Sequence, residues 1–191
     1  MNIILTENQF NRLIFEISKA EIDKRSENAE TNPTEGQISA NNYRHGHISV
    51  KGMKISIENP KGSKRHWKDK NGKEGYNTMK NHYGYFKGTS GNGKDGDAVD
   101  VFIGNNTENF SVVYVVDQKI NGQFDESKVM LGFNNKEEAK QAYLSNYSKD
   151  WKGFMHITGV SIPTFKKWLY RGNKQQKPFY TYVAIKKKKL A

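Results

Sequence analysis

Asp95, Asp97 and Asp100 crowd one short run, Lys94 to Gly104, and Asp117 and Asp125 follow on the segments behind it. Carboxylates this dense repel one another. In the interior of a β-rich fold hard cations neutralise them, which points to Mg²⁺ held by oxygen ligands. The chain around them is basic, with 31 Lys and Arg against 20 Asp and Glu and a formal net charge of +11. A concentrated acidic site on a cationic protein suits a polyanionic substrate that arrives with metal.

Strand alternation puts Asp95 and Asp97 on one face and Asp100 on the other, so their convergence requires a turn or bulge near Gly96, where glycine makes the bend cheap. The competing reading is an ordinary Asp-Gly turn that leads into a strand. An EF-hand loop is excluded, because Val99 stands where that pattern needs an acidic or amide ligand. The stretch from Asp117 to Lys128 reads as a second hairpin, with an acid at each end, Asp117 and Asp125, and a lysine just beyond.

These residues need elements to hold them. Ile48 and Val50 alternate with polar residues, Lys51-Gly52 supplies a turn, and Ile55 and Ile57 alternate again, so residues 46–58 are expected as a hairpin. A Lys, Gly and Asn loop is expected from Lys61 to Asn77, with strands at 83–87, 98–103, 111–117 and 127–133 and a closing strand at 178–185. Helices are expected at 135–144, with acids in the first turn, and at 163–170, with Pro163 near its start. Ahead of the strands, Thr6-Glu7-Asn8-Gln9 forms a capping-box pattern before Phe10, Leu13, Ile14 and Ile17, so an amphipathic helix is expected from about Glu7 to Ala20. The fold class is α+β, mainly β, a small barrel with two late helices packed on it. The chain divides into the N-terminal helix within 1–25, a polar linker over 26–42, one domain over 43–185 and a basic tail over 186–191.

There is no cysteine, so disulfides and thiolate metal sites are excluded. No apolar run approaches the roughly 20 residues that span a bilayer, and the start lacks a basic region before its short apolar patch, so a soluble, unexported protein in the cytoplasm is expected.

Glu58-Asn59-Pro60-Lys61-Gly62-Ser63, His82-Tyr83-Gly84-Tyr85, the run Asp95 to Val101, and Asp117, Gly122, Asp125 and Lys128 follow one another in an order that resembles the family I soluble inorganic pyrophosphatases. The resemblance covers roughly Tyr43 to Asp150, where Tyr147 and Lys149 match the family's late Tyr-Lys pair. It is closer still to the pyrophosphatase-like domain of multidomain phage and mobile-element proteins, through Asn42 to His47, Ile57 to Gly62 and Phe124 to Phe133. The resemblance implies a five-stranded OB-like barrel and Mg²⁺-dependent hydrolysis of pyrophosphate with several ions per site. Asp95, Asp100 and Asp125 would hold the metals that bind the attacking water, Asp117 with Asp125 would hold metal on the substrate side, and Glu58 would anchor a further ion through water. Asp97 would be the general base, and Lys61, Arg65, Tyr83, Lys128, Tyr147 and Lys149 would grip the phosphates. The chain departs from the family where Lys-Tyr-Glu reads His66-Trp67-Lys68, and its spacing from Asp117 to Asp125 is longer.

Other features divide between readings. His45 and His47 alternate as a metal pair would, but a turn entry accounts for them as well. The Lys186 to Lys189 run is a solvated tail or a phosphate patch. The N-terminal helix either folds back on its own domain or docks on a phage virion component. The rival to an enzyme is an OB-like module whose basic surface binds nucleic acid, and a homo-oligomer stays open.

Overall fold

Alternation along Gly46–Val50 and Met53–Asn59 buries Ile48, Val50, Met53, Ile55 and Ile57 and leaves His47, Ser49 and Lys54 outside. In the computed structural model these become the antiparallel strands β1 and β2, joined by Lys51 and Gly52 at φ 48° and 74°. Both turn residues need positive φ, which is why the glycine sits there. The structure describes residues 17–40, 42–68, 72–89, 96–171 and 177–188.

β5 (His82–Phe86), β6 (Asp100–Ile103), β7 (Val112–Ile120), β8 (Gln123–Leu131) and β9 (Phe154–Ser161) extend the hairpin into a seven-stranded ladder of order β1-β2-β5-β6-β8-β7-β9. Its strands pair antiparallel except β6 with β8. β3 (Lys64–Lys68) and β4 (Glu74–Thr78) form a separate hairpin. The period of two sorts the ladder's side chains into two cores. Val101, Ile103, Val113, Val115, Val129 and Leu131 join Ile55 and Ile57 on one face, under Phe165, Trp168 and Leu169 of one helix and Phe179 of another. Phe102, Tyr114, Val116 and Met130 pack on the other face against Ala139 and Tyr143.

The helices are α1 (Lys19–Ser26), α2 (Glu35–Ala40), α3 (Lys136–Ser145), α4 (Ile162–Arg171) and α5 (Phe179–Lys188). Asn135 caps α3 by accepting from the Glu138 amide at 2.8 Å. Among the described residues no helix is long and apolar enough to cross a membrane.

The architecture is mixed α+β and mainly β, with several differences from expectation. The ladder has seven strands, and no pairing closes it into a barrel among the described residues. The stretch 178–185, expected as a closing strand, is helical from Phe179 onward, in α5. Tyr180, Thr181, Tyr182 and Val183 have strand propensity, but the sheet edge beside β7 is already taken by β9, a strand the sequence pattern did not reveal. The expected Lys61 to Asn77 loop holds β3 and β4, whose exposed, charged residues carry no apolar alternation to betray them.

The expected Glu7 to Ala20 helix lies largely outside the described residues. The segment C-terminal to it does fold back: Ile22 of α1 is buried, and His82 of β5 bonds Asp23 at 2.8 Å. The Lys61 amide donates to His82 Nδ1 at 3.1 Å, so the proton sits on Nε2 and His82 is the donor to Asp23. The expected linker contains α2 and is tied down by the Glu30 amide, which donates to the Arg44 carbonyl at 2.8 Å. At the other end α5 runs on through Lys188, into the stretch expected as a tail.

Candidate active site

Two irregularities in the ladder build the site. On β2, Ile57 pairs with Gly84 and Asn59 with Tyr83, so Glu58 is an extra residue that bulges out of register. The bulge needs Gly84, where a Cβ would stand 1.9 Å from the Ser56 carbonyl oxygen. On β8, Asp117 pairs with Ser127 and Lys119 with Phe124, so Asp125 and Glu126 together oppose the single residue Gln118. Gln118 Nε2 donates to Asp125 Oδ2 at 3.2 Å and to Glu126 Oε1 at 3.1 Å, which turns both acids the same way. Between these strands, Tyr83 pairs with Phe102 and Tyr85 with Asp100, so Asp100 shares its face with both tyrosines.

Lys128 sits at the centre. Its ammonium pairs with Asp100 and, at 2.7 Å, with Glu126, and it donates to the Tyr83 hydroxyl at 3.2 Å. Tyr83 donates in turn to Asp100 Oδ2 at 2.7 Å and accepts from Arg65 Nη2 at 3.4 Å, while the guanidinium lies 4.6 Å from the tyrosine ring. Tyr43 donates to Glu58 Oε1 at 3.0 Å. Tyr147 and Tyr143 both donate to Gln118 Oε1, at 3.1 and 2.9 Å, and so set the amide that holds the two β8 acids.

Burial sets the charge states here. It pushes the Glu58 and Glu126 carboxyls up, with the Tyr43 hydrogen bond pulling against it at Glu58 and Lys128 pulling against it at Glu126. Burial alone would discharge Lys128, yet Asp100, Tyr83 and Glu126 hold its ammonium well above the usual range. Tyr83, against the pull of burial and with help from Tyr147, Asp100 and Glu58, raises the Arg65 guanidinium, and burial pushes the Tyr83 and Tyr147 hydroxyls up. The cluster therefore presents fixed cations and neutral hydroxyl donors beside closely placed acids. Glu58, Arg65, Tyr83, Asp97 and Asp100 line an open cavity of about 460 Å³, large enough for a small polyanion with its ions.

Of the residues singled out in the sequence, Glu58, Arg65, Tyr83, Asp97, Asp100, Asp125, Lys128 and Tyr147 come together around this cluster. Asp117 does not. Its carboxylate is fully buried on the opposite face, where it accepts from Ser127 Oγ at 2.7 Å and from the Phe179 and Tyr180 amides at 2.7 and 3.2 Å. It serves α5 as an N-terminal cap supplied from β7. Lys61 and Lys149 are exposed, and neither side chain bonds to the cluster. Asp95 lies outside the described residues. Glu126 and Gln118 were missed. Glu126 was within reach of sequence reasoning, because residues two apart on a strand share a face and Glu126 stands two before Lys128.

His47 Nδ1 lies 3.3 Å from Ser56 Oγ, and the buried His45 Nε2 lies 4.0 Å from Glu58 Oε1. Among the described residues no three His, Asp or Glu side chains are disposed to hold a metal ion as they stand. The donor set is nevertheless all carboxylate oxygen, which fits a hard divalent cation, and Lys128 supplies the positive charge that Asp100 and Glu126 share.

A family model described as Inorganic Pyrophosphatase matches residues 35–170, well over half of the chain. No curated protein and no solved structure matches it.

Proposed function

The chain belongs to the inorganic pyrophosphatase family, and on that premise we propose that it hydrolyses inorganic pyrophosphate to two phosphates with Mg²⁺ as cofactor. The observation that carries this reading is the convergence of Glu58, Asp97 and Asp100 with Arg65 on one cavity, with Lys128 and Glu126 bonded to that group. Acids alone would repel a diphosphate, and cations alone would bind it without activating water. The site has both.

Asp97 takes the proton of the attacking water, which places hydroxide character in line with the bridging oxygen. Glu58, Asp100, Asp125 and Glu126 would hold Mg²⁺, with Asp95 completing the set. Bound there, Mg²⁺ would supply Lewis acidity to water and phosphate oxygens. Arg65 and Lys128 meet the charge that grows on the leaving phosphate, and the Tyr83 and Tyr147 hydroxyls, kept protonated by burial, donate to its oxygens. Lys61 and Lys149, exposed and close in sequence to site residues, would draw the anion toward the site.

Asp97→Asn and Asp100→Asn are the test. Each should lower phosphate release from pyrophosphate by at least about 100-fold, the usual worth of a positioned base or charge, while circular dichroism stays unchanged. Full activity in both variants would show that the reaction, if present, occurs elsewhere.

A further inference from the structure

Beside the phosphate-binding side chains lies an apolar wall for which pyrophosphate, a wholly anionic molecule, has no use. A second cavity of about 590 Å³ is lined by Arg65, Glu126 and Lys128 together with Trp67, Ile120 and Trp151. Arg65 borders this space and the acidic cavity alike, so the two are neighbours across one guanidinium.

The aromatic wall is held in place. Trp67 on β3 lies over its cross-strand partner Gly75, where a Cβ would come within 2.6 Å of the indole. Trp151 lies over Gly153, where a Cβ would come within 2.1 Å. Its Nε1 donates to the Tyr143 hydroxyl at 2.9 Å, and its ring stacks on Tyr147 at 4.6 Å and 9°. Tyr143 and Tyr147 are the tyrosines that position Gln118 and, through it, Asp125 and Glu126. Both indoles stay partly open to solvent, and Ile120 is 47% exposed. Partly open aromatic rings next to fixed cations suit a ligand with a flat apolar end and a phosphate end.

We propose that the chain takes nucleoside diphosphates, with the phosphoanhydride at Arg65 and Lys128 and the base against Trp67, Trp151 and Ile120. This rests on the reading that the acidic cluster hydrolyses phosphoanhydrides. The water oxygen forms a bond to the terminal phosphorus and gives a proton to Asp97. The bond from that phosphorus to the bridging oxygen breaks, and the oxygen leaves with its electron pair on the nucleoside monophosphate, so the products are the monophosphate and orthophosphate.

The test uses the full chain with Mg²⁺ and two readouts, tryptophan fluorescence and phosphate release, each titrated with ADP and with pyrophosphate. ADP should quench the fluorescence and yield AMP and phosphate. Trp67→Ala should weaken ADP by roughly 10- to 100-fold, the loss of one base-stacking contact, and change pyrophosphate hydrolysis less than about twofold. Ile120→Ser, at an exposed hairpin end, should act in the same direction without risk to folding. Hydrolysis of pyrophosphate with no quenching or cleavage of ADP overturns the proposal and leaves the pyrophosphatase reading intact. Quenching by ADP without its cleavage overturns the substrate assignment, and loss of activity on both compounds overturns the hydrolase reading as well. Quenching by oligo(A) at least as strong as by ADP would make the wall a nucleic-acid surface and overturn the proposal too.

Discussion

Replacing Asp117 should unfold the protein before it disturbs the chemistry. Its carboxylate accepts from Ser127 Oγ and from the amides of Phe179 and Tyr180 at 2.7, 2.7 and 3.2 Å, and both Asp117 and Phe179 are fully buried. Asp117→Ala leaves those donors without this acceptor, and the Ser127 and Phe179 groups are buried away from water. Hydrogen bonds to a charged group contribute about 1.5–3 kcal/mol each, and an orphaned buried donor costs about 1–3 kcal/mol. Against this, the mutation relieves the burial that pushes the Asp117 carboxyl up. A net loss of about 3 kcal/mol results, and of about 1–2 kcal/mol for Asp117→Asn, whose amide oxygen still accepts. Urea unfolding reads this as a lower midpoint at unchanged slope. Folded Asp117→Asn should keep phosphate release within about threefold, since its hydrogen-bond partners Ser127, Phe179 and Tyr180 lie outside the site. Wild-type stability in Asp117→Asn, combined with a loss of activity beyond about 100-fold, would refute the cap and restore the metal-ligand role that the sequence pattern implied.

Lys128→Met should destabilise the metal-free protein by about 3–5 kcal/mol, because Asp100 and Glu126 lose their shared counter-charge. Added Mg²⁺ should then raise the melting temperature of this variant more than that of the wild type, as thermal unfolding would show. Gly84→Ala should fail to give folded protein or lose more than about 3 kcal/mol, since its Cβ would stand 1.9 Å from the Ser56 carbonyl oxygen, and circular dichroism with urea titration checks it. His82 is held below its ordinary pKa by burial, against the pull of Asp23, so the unfolded chain binds a proton first on acidification. Stability should be full above about pH 6.5 and fall as the pH drops through the lowered folded value, and His82→Gln should flatten that part of a stability-against-pH curve.

The β1–β2 hairpin, α3 and α4 were legible because each rests on local periodicity. Glu58 and the two β8 acids were harder. Their directions depend on bulges, and a bulge is a property of two paired strands that no single segment encodes. The capping role of Asp117 was hidden for a related reason. Its partners Phe179 and Tyr180 lie more than 60 residues on, in a segment whose Tyr-Thr-Tyr-Val run favours a strand in isolation and becomes a helix once Asp117 satisfies its first amides. The family pattern supplied the acids in order, but only the register shows that Gln118 stands opposite Asp125 and Glu126.

Phosphate release from pyrophosphate by the purified chain, measured with Mg²⁺ and again after chelation, tests the central claim most directly. Turnover that appears with Mg²⁺ and vanishes with the chelator is the predicted result. A chain that releases no phosphate at any Mg²⁺ concentration, although folded, would contradict it.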